Sequence, residues 1–532
     1  MALTATSLES SSGGRSRKRR PPSLLHVLAL AAALIALVPL IGVIAAALGS
    51  TDARFAPSDL VRYGLTSLGL LALVLPSVSI LGSAAAWLVS LYRFPGRDLF
   101  TWMLAMPLAL PAFALAYGYA DLLDVGGPFR LWLRDAGLGW SGSIRTLWGA
   151  GLILTLAFYP YVYLTVRSAL TAPAARTIEA ARLLGASPVG LAMRVGLPLA
   201  RPAIAAGAAL AAMETLADYG AVQFLGVQTL TTGVVRAWFV LGSVETAARL
   251  ALPLLALAAV LLWLERQNRA GRYAESARSQ GRRIALVQLK GPAASLATAF
   301  CGLIILLGLV IPLGWLTVSA LDVAPEIGRI AGAARNSFGL GLAGAAATLV
   351  LAAAIALGAP RIPVTARLAS LGYATPGAVM AIGLLVPAAA VWSGFAGSTL
   401  AALGLLVFAY AARLMAAAVE PLEAGLARIT PTMGEAARLL GRNEVATAWS
   451  VQLPMIVGPA LTAALIVFVD ILKELPATLI LRPFNFDTLA VMADNYARDE
   501  RLANAGWPVL VIVLLTLPAT WWLTGRIGAV RG

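Results

Sequence analysis

The chain has very few of the side chains on which catalytic and disulfide-bonded proteins depend. Its 532 residues include one cysteine, Cys301, and one histidine, His26. A lone cysteine cannot form an internal disulfide, so no redox compartment can be inferred. One histidine at the start of an apolar run leaves no credible Ser/His or Cys/His pair for nucleophilic catalysis. A membrane enzyme is therefore a distant alternative, and any metal ligands remain unknown.

Lysine is also scarce, and its positions exclude an ATP-binding loop. The three lysines are Lys18, Lys290 and Lys473, and none of them follows a glycine. A phosphate-binding loop of the form G-x-x-x-x-G-K-[ST] requires a Gly-Lys pair. We therefore expect no nucleotide or other cofactor to be bound to this chain.

Charged residues make up only 12% of the chain, whereas hydrophobic residues make up 60%. Soluble globular proteins carry about 25% charged residues. The low fraction, together with long apolar runs, predicts a protein that crosses the lipid membrane many times. The net charge of +15 does not indicate a nucleic-acid partner, because the arginines cluster between apolar runs rather than on one helical face.

Twelve apolar runs are long enough to cross a bilayer, which requires roughly 20 residues per helix. The sequence thus predicts an all-α polytopic membrane protein with about twelve transmembrane helices in two tandem six-helix halves. The runs lie at about 24–48, 64–92, 99–123, 146–168, 199–225 and 247–264 in the first half, and at 294–320, 337–359, 367–393, 399–420, 455–481 and 507–525 in the second.

Basic residues indicate how these spans are oriented. The segment "RSRKRR", from Arg15 to Arg20, precedes the first run and predicts a cytoplasmic N-terminus. Twelve spans then place the C-terminus in the cytoplasm as well. The first run is longer than the 7–15-residue core of a signal peptide, so we expect a retained anchor.

A polar, basic stretch between the sixth and seventh runs divides the chain. We predict a cytoplasmic basic tail at 1–23, a first half at 24–265, a cytoplasmic linker at 266–292 and a second half at 293–532. Internal duplication of this kind is common in transporters.

One short polar segment occurs once in each half. "EAARLLG" begins at Glu179 and again at Glu435, and a Leu-Pro pair follows both copies at the same distance. A glycine suited to a helix C-terminus precedes the N-cap candidates Ser187 and Asn443, which predicts two short helices around a turn. We expect both copies to form docking elements through Glu179, Ala180, Ala181, Gly185, Pro198, Glu435, Ala436, Ala437, Gly441 and Pro454.

Acidic residues lie inside the fifth and eleventh runs at equivalent positions. Glu214 matches Asp470 and Asp218 matches Glu474, which gives two carboxylates four residues apart in each half. Charged residues within spans are costly and usually face a cavity or a partner. We interpret these four as candidates for a cation pathway, since hard cations prefer oxygen ligands. The alternative is structural, with Lys473 pairing to Asp470.

The repeated segment resembles the E-A-A-x-x-x-G motif of ABC importer permeases, which docks into a groove of the ATPase subunit. Two fused six-helix halves are also known in that family, where one chain replaces a permease dimer. The resemblance implies a non-catalytic subunit with two separate ABC ATPase subunits, which bind ATP and Mg²⁺, and a periplasmic substrate-binding protein.

Two further stretches resemble ferric-iron ABC permeases, "ETLADYGAVQFLGVQTLTTGVVRAWF" and "KELPATLILRPFNFDTLA". The resemblance implies import of Fe(III) from the periplasm. Related fused permeases for thiamine share the architecture, so the same machinery with thiamine or another small cation as cargo stays open. An ion-coupled secondary transporter is a more distant alternative, because such a carrier needs no ATPase-docking segment.

Overall fold

A computed structural model describes residues 24–49, 57–138, 142–171, 175–187, 190–269, 286–358, 363–391 and 398–529. The predicted basic tail at 1–23 and most of the predicted linker lie outside this part of the chain. Within it, nearly every residue belongs to a helix, and the strands are two segments of two residues each.

The first half contains eleven α-helices and one short strand in its described residues. They are α1 Leu24–Leu48, α2 Pro57–Leu91, β1 Tyr92–Arg93, α3 Arg97–Met103, α4 Ala112–Leu123, α5 Pro128–Asp135, α6 Leu147–Thr171, α7 Ala175–Leu183, α8 Leu197–Ala217, α9 Gly220–Phe224, α10 Leu230–Phe239 and α11 Val244–Arg269.

The described part of the second half repeats this order after a second short strand. It contains β2 Val287–Gln288, α12 Pro292–Ile305, α13 Ile311–Leu321, α14 Ile327–Gly358, α15 Pro363–Ala374, α16 Gly377–Val391, α17 Thr399–Leu426, α18 Pro431–Leu439, α19 Glu444–Thr447, α20 Leu453–Met455, α21 Val457–Lys473, α22 Pro476–Leu481, α23 Leu489–Arg498 and α24 Leu502–Ala529.

The prediction of an all-α polytopic membrane protein is confirmed. Among the described residues, nine helices are long and apolar enough to cross a membrane, and three bent helix pairs raise the number to twelve. Counting each bent pair as one crossing, successive spans alternate between two sides. We name the side on which α1 begins the near side and the opposite one the far side.

Two of the predicted spans end earlier than the sequence suggested. The runs 199–225 and 455–481 were counted as one span each, with a break suggested near Gly220 and Pro476, and the helices end a few residues earlier, at Ala217 and Lys473. Asp218 and Glu474 then have extended backbones, and the short helices α9 and α22 follow. Hydropathy alone does not mark either break, because the residues beyond them are equally apolar, and the signal was the nearby glycine and proline.

Three prolines, Pro198, Pro312 and Pro454, follow a local widening of the helix. Segments with π-helical geometry at Leu191–Gly196, Leu306–Val310 and Ala448–Gln452 each end two residues before a proline. A proline has no N–H to donate and its ring clashes with the carbonyl four residues earlier, so a wider turn removes the conflict. The Leu197-Pro198 pair predicts the end of a helix, but this prediction is wrong, because the helix continues through Pro198.

The first span of each half packs against the other half. Helix α1 contacts α14, α15 and α16 of the second half, whereas α13 contacts α4 of the first. The two halves of the sequence are therefore interlocked in space.

Two glycines at equivalent positions allow this exchange. Each lies seven residues after a proline, Pro111 or Pro376. A Cβ on Gly118 would lie 2.9 Å from the carbonyl oxygen of Pro312, and a Cβ on Gly383 would overlap the carbonyl oxygen of Pro39. Small residues allow membrane helices to approach this closely, because lipid and leucine are equally apolar and only packing favours association.

We expect Gly383→Val to disrupt the joining of the two halves, since the carbonyl it would strike belongs to backbone that cannot move aside. Overpacking lowers the free energy of unfolding by about 1–3 kcal/mol where side chains can adjust. We expect a larger loss at position 383. The matched control is Gly404→Val in α17, where nothing lies within 4 Å of an added Cβ. The measurement is the monodisperse fraction in detergent against temperature. Equal curves for the two variants would contradict the interlocked packing.

The end of the linker is attached to the first half by a small parallel pairing. Tyr92 and Arg93 pair with Val287 and Gln288, and the Leu289 N–H donates to the Arg93 carbonyl at 2.9 Å. This pairing brings the linker back to the near-side end of α2.

Candidate functional site

Two compact helical knobs extend from the near side, one in each half. We define the first knob as residues 175–187 and the second knob as residues 431–443. Their helices, α7 and α18, each contain nine residues and start 256 positions apart. The predicted docking segments therefore have the same local structure in both halves.

Both knob helices end in the same hydrogen-bonded turn. Gly185 and Gly441 have φ values of 78° and 79°. The N–H of the next residue bonds back to the carbonyl of Ala181 in one knob and of Ala437 in the other, both at 3.1 Å. This is a Schellman turn, in which glycine avoids the steric penalty of a left-handed backbone.

A side-chain cap begins the next helix in each knob. The Ser187 hydroxyl accepts the N–H of Gly190 at 3.1 Å, and the Asn443 side-chain oxygen accepts the N–H of Ala446 at 2.8 Å. Both caps satisfy backbone donors that the first turn of a helix leaves free. The sequence predicted these caps because serine and asparagine are common at that position.

The knobs expose an apolar surface that sequence reasoning did not identify. Four leucines are 82–89% exposed, namely Leu183, Leu184, Leu439 and Leu440. The two in each knob sit just before the turning glycine. Four fully exposed leucines at matched positions would be costly in water. The repetition of "LL" in both copies was the signal that could have found them.

The predicted docking residues surround these leucines. Ala180 and Gly185 are exposed in the first knob, and Ala436 and Gly441 are exposed in the second, while Pro198 and Pro454 are exposed at the start of helices α8 and α20, which follow the knobs. Glu435 is exposed as well, whereas Glu179 and Ala181 are half-buried and Ala437 is buried. The buried alanine fixes the helix against the body of the protein, and the exposed residues form the surface.

The two broken spans bring the four predicted carboxylates to one level of the membrane. Asp218 and Glu474 occupy the two breaks, with backbone angles of −62°/131° and −72°/124°. Glu214 and Asp470 lie one helical turn earlier. The Glu214 carboxylate interacts electrostatically with Asp470 and Glu474 of the other half.

The carboxylates at the breaks cap the short helices that follow. Asp218 accepts the N–H of Val222 at 3.1 Å. Glu474 accepts the N–H groups of Ala477 and Thr478 at 3.2 and 3.1 Å. These bonds satisfy donors at the start of α9 and α22, so both side chains have a structural use.

Two cations neutralise the carboxylates of the second half. Arg413 lies 3.3 Å from Glu474, and Lys473 lies 3.3 Å from Asp470. Lys473 also donates to the carbonyl oxygen of Leu108 in the first half at 3.0 Å. The structural alternative for Asp470, pairing with Lys473, is thus present in the structure.

Glu214 differs from the other three carboxylates. It is half-buried, and among the residues that the structure describes it forms neither a hydrogen bond nor an ion pair. Arg413 and Lys473 act on it only at longer range. A carboxylate within a membrane that lacks a direct partner is a candidate for contact with a passing ligand.

Matching hydrogen bonds hold the helices beyond the breaks. The N–H of Leu230 donates to Ser67 at 2.9 Å, and the N–H of Leu489 donates to Ser337 at 2.8 Å. Thr229 and Thr488 cap the same two helices. Each broken span therefore continues into a rigid far-side segment that the second span of its own half positions.

A resident metal centre is not indicated by the described residues, in which no group of three or more His, Cys, Asp or Glu side chains could hold an ion. Three of the four carboxylates are engaged in helix caps or ion pairs, namely Asp218, Asp470 and Glu474.

Comparison with known proteins gives one family domain. Residues 40–264 match the model described as "Binding-protein-dependent transport system inner membrane component". The chain is also 27% identical over 514 residues to the Fe(3+)-transport system permease protein FbpB 2 of Haemophilus influenzae, which covers 94% of this chain and 97% of that protein.

Partial similarity extends to permeases for another cargo. The sulfate transport system permease protein CysT of Escherichia coli is 29% identical over 148 residues, or 27% of this chain and 52% of that protein. CysT of Salmonella typhimurium is 29% identical over 173 residues, or 32% of this chain and 60% of its own length. These two relatives share the permease architecture over part of the chain only.

Proposed function

We propose that this chain, which carries an inner membrane domain of a binding-protein-dependent transport system, is the permease of an ABC importer for ferric iron. The permease role follows from the domain, and permeases of this kind are non-catalytic. The proposal of iron rests on one observation, the similarity to a ferric-iron permease along nearly the whole chain.

The two knobs support the proposal that transport is powered by two separate ABC ATPase subunits, which would bind ATP and Mg²⁺. One knob per half offers one docking surface per ATPase. Closure of the ATPase pair would move the knobs and rock the interlocked halves between outward and inward states. In this proposal the near side, where α1 begins and α24 ends, faces the cytoplasm, and the far side faces a periplasmic binding protein.

The charge of the pathway favours a cationic cargo over an anionic one. At the level of the breaks, two cationic side chains face four carboxylates, and Glu214 has no direct partner among the described residues. A hard trivalent cation prefers such oxygen ligands. We propose that Glu214 contacts the cargo, whereas Asp218, Asp470 and Glu474 position the surrounding helices.

The test is uptake of radiolabelled iron, thiamine and sulfate into cells that lack this gene, with and without the gene restored. We expect restored uptake of iron alone. Restored uptake of thiamine alone would leave the assignment as an ABC permease standing and would change the proposed cargo from iron to thiamine. Restored sulfate uptake would show that the carboxylates do not select cations.

A further inference from the structure

We propose that Arg498 is a latch that holds the far side of the transport pathway closed by joining the two halves. It belongs to α23 in the second half and donates to Tyr219 of the first, while its neighbour Asp494 accepts a hydrogen bond from Tyr117 of the first half. The inference rests on the proposed function only for the orientation, which makes the far side periplasmic.

The broken spans meet at the far side. Helix α9 contacts α23, and the equivalent helix α22 contacts α10, so the segments beyond the breaks cross between halves. A Cβ on Gly220 would lie 3.0 Å from the Leu475 side chain and 2.8 Å from Phe113. An apolar seam of buried residues therefore closes the space above the four carboxylates.

One polar network crosses this seam. Arg498 donates through Nε to Asp494 at 2.7 Å and through Nη2 to the Tyr219 hydroxyl at 2.6 Å. Its guanidinium also lies 5.8 Å from the centre of the Tyr219 ring. The Tyr117 hydroxyl donates to the other Asp494 oxygen at 3.4 Å. Charge-assisted bonds of this kind are stronger than neutral ones.

The network has no counterpart in the first half, although the surrounding helices do. Helices α10 and α23 both begin with a leucine after a threonine cap and contain ten residues. Position 494 therefore corresponds to Val235, and position 498 to Phe239. A link that is present once in an otherwise duplicated fold is not required by the packing that both halves share.

Arg498 is also placed where it can be released. It borders a far-side cavity of about 400 Å³, together with Asp124, Gln223 and Glu500. Its side chain is 46% exposed, whereas that of Asp494 is 5% exposed. A half-exposed cation that neutralises a buried carboxylate beside the seam can swing into the cavity, which would break its hydrogen bond to Tyr219 of the other half.

The test measures access to the seam directly. Leu475→Cys in a Cys301→Ser background places a thiol at a position that is 2% exposed below the network. A membrane-impermeant thiol reagent is added to the full chain in lipid nanodiscs. We expect Arg498→Gln to accelerate labelling at least about tenfold, because the closed state loses its polar link.

Three comparisons make the result specific. Arg501→Gln is the matched control, since Arg501 pairs with Glu326 of its own half at 3.3 Å and should leave labelling unchanged. Gln223→Cys, in the cavity wall, should label quickly in every background. Adding Asp494→Asn to Arg498→Gln should accelerate labelling no further.

The proposal that Arg498 is a latch would be wrong if Leu475→Cys labelled slowly in the Arg498→Gln variant while Gln223→Cys labelled rapidly. Equal acceleration by Arg501→Gln would overturn it too, because loss of any far-side charge would then suffice. Neither iron nor an ATPase is present, so the outcome is independent of the uptake experiment.

Discussion

Replacement of Leu183 and Leu184 together by serine is expected to stop transport, because the first knob loses the apolar surface that an ATPase subunit would cover. Full burial of a leucine contributes about 1.5–3 kcal/mol. Loss of two leucines therefore corresponds to a loss of binding affinity of about a hundredfold or more, since about 1.4 kcal/mol changes a dissociation constant by a factor of ten. The measurement is co-purification of the ATPase with the permease, beside uptake of labelled iron.

The duplication supplies internal controls for this prediction. The same change at Leu439 and Leu440 should give an equal loss, and the quadruple variant should retain no ATPase. Leu138→Ser on the far side removes a leucine that is 60% exposed and should change neither readout. If the knob variants still bound the ATPase as well as the parent, the docking assignment would be wrong.

Glu214→Gln is expected to reduce iron uptake at least about tenfold while ATPase binding stays intact. Glutamine keeps the shape of the side chain but removes a partly desolvated charge from the proposed pathway. There the attraction between unit charges about 4 Å apart amounts to about 4 kcal/mol at an effective dielectric constant of 20. The measurement is uptake by cells with equal amounts of the protein in the membrane.

Asp218→Asn is the matched comparison, four residues further along the same chain segment. Asparagine can still accept the N–H of Val222, as good helix caps do, so the break should persist. We expect nearly normal uptake in this variant. Equal losses in both variants would show that the four carboxylates act as one structural group, and normal uptake in both would remove them from the pathway.

Much of the knob structure could be predicted from the sequence because it depends on local interactions. The glycine at 185 and 441, the caps at 187 and 443, and the helices before them follow from preferences that act over a few residues. Their repetition 256 positions apart separated them from ordinary loops. The exposed leucines were missed because sequence alone does not show whether an apolar side chain faces water or protein.

The pathway could be predicted only in outline. Matched carboxylates in apolar runs pointed to positions 214, 218, 470 and 474, and glycine and proline suggested a break nearby. The ion pair that distinguishes Glu474 from Glu214 depends on Arg413, which lies 61 residues from Glu474 in the chain. No short-range pattern relates residues that far apart, so their pairing could not be predicted from the sequence.

The sequence by itself determined that this chain crosses the membrane about twelve times, that it is a duplication and that each copy carries one knob. These properties follow from hydropathy, local turn preferences and self-similarity. Tertiary structure alone decided that the first span of each half packs on the other half and that Arg498 joins them at one end. The reason is that lipid and neighbouring helices are equally apolar, so hydropathy marks a helix as buried in the membrane without choosing its partner.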